Sequence, residues 1–363
     1  MTEREQEILA LLRQDPMIAQ QELADRLGIS RSALASHISS LIRQGYVQGR
    51  GYVLREGPYV VVIGGANMDI CGTSHDNLLL GDSNPGKVRT SAGGVGRNIA
   101  ENLARLGSDT RLLTAVGNDQ YGHHLLEVSQ RAGVDVRQTL VLDGHATSCY
   151  LSLHDGSGEM SCAINDMAII EQLTPARLTP LGGFLGGARL WVLDTNLAIH
   201  TLDWLFERQG DHAIFVDTVS VAKVEKIRPW LGKIHTLKPN RSEAEQLCGM
   251  TIAGPETWPM VAAWFHRAGV KRLFLSLGEQ GIFYSDGKQQ GHLPVLGSPV
   301  LNVTGGGDAF MAGLAHAWLQ QLDIAQTTRF ALGCAALTVN CSDTVFSGLS
   351  KTAVDRILEE YSC

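Results

Sequence analysis

From Tyr59 onward the chain alternates short apolar runs with helical patterns, and this alternation limits its possible folds more than any other feature. Tyr59-Val60-Val61-Val62-Ile63-Gly64 is apolar on both faces, and residues 112–116, 190–193, 213–216 and 273–276 repeat the pattern with few polar interruptions. A strand without a polar face must be covered on both sides, so such strands belong to a mostly parallel sheet flanked by helices. Residues 123–132 and 309–320 read as helices. Segments 69–80, 88–90 and 147–153 are more polar and read as solvent-edged strands outside that sheet.

Residues 1–57 have a different pattern. Residues 5–13 carry Ile8, Leu9, Leu11 and Leu12 at helical spacing, and residues 20–27 carry Leu23, Ala24 and Leu27. Gly28-Ile29-Ser30 reads as a turn, with Ser30 as an N-cap. Residues 32–44 read as a third helix with Leu34, Ile38, Leu41 and Ile42 inward, and residues 46–54 as a hairpin around a glycine turn. Arg26, Arg31, Arg43, Arg50 and Arg55 fall in a stretch with no acid, so the second half of this module is its positive half. A small helical interaction domain with an arginine-bearing solvated face would read the same way. The order helix, helix, turn, helix and β-wing resembles a winged helix-turn-helix module, whose third helix enters the major groove. The resemblance implies DNA contacts from Arg31, Ser32, Ser36, His37 and Arg50.

Two glycine motifs carry the chemistry. Asn302-Val303-Thr304-Gly305-Gly306-Gly307-Asp308 precedes a helical pattern, and unpaired N–H groups at a helix start attract anions. Asp308 sits among those donors, where a carboxylate can accept a proton from an attacking hydroxyl. Ser91-Ala92-Gly93-Gly94-Val95-Gly96-Arg97-Asn98 allows close backbone approach to a ligand. A tight turn before a packed helix would also account for the first motif. Asn67 and Asp69, two apart at the end of the first apolar strand, can grip vicinal hydroxyls or cap their own backbone. Asn240 and Glu243 have the spacing of a helix-capping pair.

The two glycine motifs, in this order, resemble the signatures of the ribokinase-like (phosphofructokinase-B) family of sugar and nucleoside kinases. The resemblance covers residues 58–363, after a 1–57 module. It implies an α/β fold with a central mostly parallel sheet flanked by helices, and a small β lid from about 69–92 and 147–165. It further implies a nucleoside substrate held by Asn67, Asp69, Gly93, Gly94, Asn98, Asn165, Asp166 and Asn196. Asp308 would be the catalytic base, with Gly305, Gly306 and Gly307 forming the anion cradle. ATP would lie against Asn240, Ser276, Gly278, Gly281 and Asn340, and magnesium near Glu243 through water. The stretches at residues 82–98, 163–167 and 234–240 most resemble the pseudouridine-phosphorylating branch. Ribokinase-type or other nucleoside phosphorylation stays open, as does a transcription regulator using the kinase fold as a ligand sensor. Asn302 replaces the aspartate that usually opens the second signature, which leaves monovalent-cation dependence open. Family lids often pair into a β-clasp, so a homodimer is implied.

Other classes are disfavoured. No apolar run is long enough to span a membrane. The N-terminus Met1-Thr2-Glu3-Arg4-Glu5-Gln6-Glu7 has no signal-peptide core. The seven cysteines are scattered, with no close CxxC pair, which suits reduced thiols in a cytoplasmic protein.

Overall fold

The computed structural model describes residues 1–47, 58–297, 304–341 and 343–361. They form two units, Met1–Tyr59 with Ala176–Arg189, and Val60–Pro175 with Leu190–Cys363.

In the first unit, α1 (Glu3–Gln14), α2 (Gln20–Leu27) and α3 (Arg31–Arg43) enclose Ile8, Leu12, Leu23, Leu34, Ile38 and Leu41. Thr2 and Glu5 make a capping box at the start of α1, and Gly28 ends α2 with φ 64°. The Ser30 hydroxyl accepts from the Ala33 N–H at 3.2 Å and starts α3. Ile42, expected inward, is 44% exposed. At about 100° per residue, α3 gives the inward position to its neighbour Leu41 and turns Ile42 to solvent. The hairpin expected over 46–54, and Arg50 with it, lies outside the described residues beyond Val47.

In the second unit the strands run β1 (Val60–Ile63), β2 (Asn67–Ser74), β3 (Gly86–Gly93), β4 (Thr110–Leu113), β5 (Ala115–Gly117), β6 (Leu140–Leu142), β7 (Cys149–His154), β8 (Met160–Asp166), β9 (Leu190–Asp194), β10 (Ala213–Asp217), β11 (Thr236–Lys238), β12 (Arg272–Ser276), β13 (Ile282–Ser285) and β14 (Gln290–Leu293). The main sheet has the order β14-β13-β12-β11-β10-β9-β1-β4. It is parallel from β4 to β12 and antiparallel at the β12-β13-β14 edge. All four residues of β1 are buried, as its unbroken β-branched run requires. The helix Gly306–Leu319 covers the sheet, with Phe310, Met311 and Leu314 packing in one cluster with Val60, Val192, Phe215 and Phe274.

The single strand expected over 112–116 is two. The chain leaves the main sheet at Thr114, and β5 pairs with β6 instead. A second sheet, ordered β3-β2-β7-β8, forms the lid. Strand order reverses around β1, so β1 and β9 open a crevice at their carboxyl ends, where ligands of such sheets bind.

Candidate active site

The crevice begins with Asp194, the last residue of β9. Its Oδ2 accepts from the Gly65 N–H at 2.7 Å and the Gly96 N–H at 2.9 Å, and its Oδ1 from the Asn196 N–H at 2.8 Å. One buried carboxylate thus ties the loop after β1 to the first turn of α4 (Val95–Arg105). Burial raises the Asp194 carboxyl above its ordinary value despite these bonds. With both oxygens engaged by backbone, it acts as a clamp rather than as a reader of the ligand.

Asn67 and Asp69 face the same way in β2, and the Asn67 amide donates to Asp69 Oδ1 at 2.6 Å. Burial raises the Asp69 carboxyl, while Asn67 and then Arg97 pull it down. Gly93 pairs with Asn67 across the lid. A Cβ there would stand 2.2 Å from Asp69 Oδ2, and Gly94 has φ 98° and a would-be Cβ 2.5 Å from Ala66 Cα, so side chains are excluded at both.

Asn98 lies on α4. Its amide donates to Asp308 Oδ2 at 2.8 Å, and its own oxygen accepts from the Arg97 guanidinium. That pairing fixes which end of the amide faces Asp308. Arg97 is itself buried between Glu101 and the carbonyls of Ala92 and Gly93.

Asp308 stands in the first turn of Gly306–Leu319, beside the helix's free N–H groups. Gly305 takes φ 83°, and a Cβ on it would lie 1.9 Å from the Thr344 carbonyl. Burial pushes the Asp308 carboxyl up to about 7, with Asp217 adding to the rise, while Asn98 and Lys238 oppose it. A carboxyl near 7 is suited to general-base work at neutral pH.

Asp217 ends β10 and Lys238 ends β11, as register partners. The Lys238 ammonium stands 3.0 Å from Asp217 Oδ2, and a Cβ on Gly307 would lie 3.3 Å from it. Asn240 and Glu243 form a capping box on the helix Arg241–Cys248. Glu243 Oε2 accepts from the Asn240 N–H at 2.8 Å and the Thr218 hydroxyl at 2.5 Å. Ser276 bridges to Asn240, which brings the two together. Val339 Cγ1 would be 2.7 Å from a Cβ on Gly306, and the next residue, Asn340, is exposed. Among the described residues no three His, Cys, Asp or Glu side chains converge on a metal position. Hard carboxylate oxygens beside a helix N-terminus would suit a magnesium ion held mostly by water and phosphate.

Not every expected residue joins this cluster. Asn165 and Asp166 alternate in β8, so they point to opposite faces of the lid. Asn165 pairs with Tyr150 on the Asp69 side, whereas Asp166 pairs with Cys149 and accepts from the Ala168 N–H at 3.2 Å. Asn196 stays at the crevice through its N–H bond to Asp194, but its side-chain oxygen accepts from Lys223 Nζ at 2.6 Å. Gly281 has φ 89° and a would-be Cβ 2.1 Å from the Leu293 carbonyl, so close approach of β14 already accounts for that glycine; Gly278 has open space around it. In the first unit, Arg31, Ser32 and Ser36 are exposed on α3. His37, on the same helix, is half-buried. Lys238 and Asp217 were not singled out from the sequence. The available signal is an ionisable residue closing a strand at its carboxyl end.

A family model described as pfkB family carbohydrate kinase matches residues 58–351, and one described as winged helix-turn-helix DNA-binding matches residues 1–48. Pseudouridine kinase of Escherichia coli (strain K12) is 46% identical over 311 residues, covering 85% of this chain and 99% of that protein. The uncharacterized sugar kinase YeiI of the same strain is 42% identical over 341 residues, covering 93% and 94%. The structure of Arabidopsis thaliana ribokinase complexed with ribose and ATP aligns with TM-score 0.73 at 22% identity, over 84% of this chain and 99% of that one.

Proposed function

The chain belongs to the pfkB family of carbohydrate kinases, and on that premise we propose that it phosphorylates pseudouridine at the 5′-hydroxyl with ATP. It is an ATP-dependent kinase with an N-terminal winged helix-turn-helix. The observation that carries the reading is the placement of Asp308, a carboxyl near neutrality at a helix N-terminus, oriented by Asn98.

Asn67 and Asp69 hold the ribose hydroxyls, with Gly93 and Gly94 giving the sugar room. Asp308 takes the 5′-hydroxyl proton as that oxygen attacks the γ-phosphorus and the bond to ADP breaks. The N–H groups of residues 305–308 stabilise the charge on the transferring group, so most of the rate comes from positioning and electrostatics. Glu243 would hold magnesium through water, and the ion's charge would neutralise the nucleotide phosphates. Pseudouridine is favoured over ribose by the 46% identity to a pseudouridine kinase across nearly its whole length. The test is turnover with pseudouridine and ATP, the phosphate then located by NMR. Phosphate on the 5′ oxygen supports the reading; its appearance elsewhere, or no product, contradicts it.

DNA binding through α3 is the second activity we propose, favoured by the exposed Arg31, Ser32 and Ser36. A homodimer through the lid is favoured by one lid face on which Val88, Leu153 and Ile164 are exposed together. The reading places the protein in the cytoplasm; no described helix is long and apolar enough to cross a membrane.

A further inference from the structure

Lys238 is buried against the glycine turn, and nothing in the proposed mechanism uses it. Its ammonium pairs with Asp217 at 3.0 Å; burial works against the charge, while the charges of Asp217, Asp308 and Glu243 favour the protonated form. Burying an ion pair costs more in desolvation than the pair usually returns, so packing alone gives little reason for Lys238 and Asp217 to be charged. Position gives a better one. The register of β10 with β11 puts both at the carboxyl edge of the sheet, and the ammonium sits 3.3 Å from where a Gly307 Cβ would be. A side chain at Gly307 would crowd that ammonium, whereas glycine leaves it facing the helix N-terminus. The carboxylates there would repel an incoming phosphate unless a cation stood with them.

We propose that Lys238 is a phosphoryl-contact residue, its ammonium shared between Asp217 and the γ-phosphoryl group of ATP in the cradle of residues 305–308, with Asp217 as its positioning residue. This rests on the kinase reading but not on the identity of the acceptor. The prediction is specific to the γ-phosphoryl, because ADP ends one phosphate short of the cradle.

The experiment is calorimetric titration of the full chain with magnesium and either AMP-PNP or ADP, for wild type, Lys238→Met, Lys238→Arg and Asp217→Asn. Loss of one charge-assisted hydrogen bond should weaken AMP-PNP at least about tenfold in Lys238→Met and ADP by less than about threefold. Lys238→Arg keeps the charge and should recover part of the AMP-PNP affinity. Asp217→Asn leaves the lysine unheld and should lower kcat more than it weakens AMP-PNP. Equal weakening of both nucleotides, or kcat in Lys238→Met within about threefold of wild type, overturns the proposal. Should Lys238→Met fail to fold, Lys238→Arg decides: an unchanged AMP-PNP to ADP affinity ratio together with an unchanged kcat overturns it. Wild-type protein that binds neither nucleotide overturns the kinase reading and this proposal together. Normal AMP-PNP discrimination with no turnover of pseudouridine overturns only the substrate.

Discussion

Asn98 on α4 donates its amide to Asp308 at 2.8 Å, joining two glycine motifs that lie 210 residues apart. The contact orients a carboxyl that must leave a buried environment's preferred neutral form to act as a base. Both the rate and its pH dependence should therefore depend on it.

Replacing Asp308 by Asn should lower kcat about a thousandfold, the typical cost of losing a general base. The same variant should be more stable than wild type above neutrality. The folded carboxyl lies near 7 against an ordinary value of 3.8, so its contribution to stability is present below 3.8 and fades as pH rises to 7. The melting temperature of Asp308→Asn should therefore gain on wild type between pH 4 and pH 8. A variant that folds and retains near-normal turnover sinks the assignment.

Asn98→Ala should move the acidic limb of kcat/KM upward. Asn98 favours the ionised carboxylate, so its loss raises the pH needed to form the base. A pH series of initial rates should show the variant's deficit larger at pH 6 than at pH 8.5. A limb that stays in place or shifts down contradicts the pairing.

Gly93→Ala should raise KM for the nucleoside at least about tenfold, because the new methyl needs the space of the Asp69 carboxylate. KM for ATP should change little, since the proposed nucleotide site lies toward Asn240 and Ser276. Equal change in the two constants would place Gly93 outside the acceptor site.

Arg31→Ala should weaken DNA binding and reduce its salt slope by about one, with kinase activity intact. Two modules in a dimer should favour a palindromic site, and any effect of nucleoside on DNA affinity must be matched by an equal effect of DNA on nucleoside affinity. Fragments selected from genomic DNA provide the check. Enrichment of no sequence, with only nonspecific affinity, would leave residues 1–57 a structural appendage.

Much of the frame is legible because burial is written into composition. Val60–Ile63 and Leu190–Asp194 have too few polar residues to stand anywhere but in a covered sheet, and Ser30 marks the start of α3 by its hydroxyl. Two of the motif glycines, Gly94 and Gly305, are legible because backbone at φ 98° or 83° admits little else. Other features depend on partners far away in sequence. Nothing near Asp194 announces that its oxygens will be spent on Gly65, Gly96 and Asn196. The Lys238–Asp217 pair exists only through strand register, and β8 separates Asn165 from Asp166 by alternation that a motif string does not display. The close approach of β14 to Gly281 is likewise invisible in the sequence.

The central claim is the substrate, and the most direct measurement is kcat/KM with saturating ATP for pseudouridine, uridine, adenosine and ribose. Pseudouridine, joined to its sugar through carbon, keeps a ring N–H at an edge where uridine presents only a C–H, and a buried acceptor meeting that N–H would be left unpaired by uridine. The expected result is preference for pseudouridine over each of the others by at least about tenfold, with the 5′-phosphate as product. Equal values for pseudouridine and uridine, or a higher value for ribose or adenosine, would contradict the account.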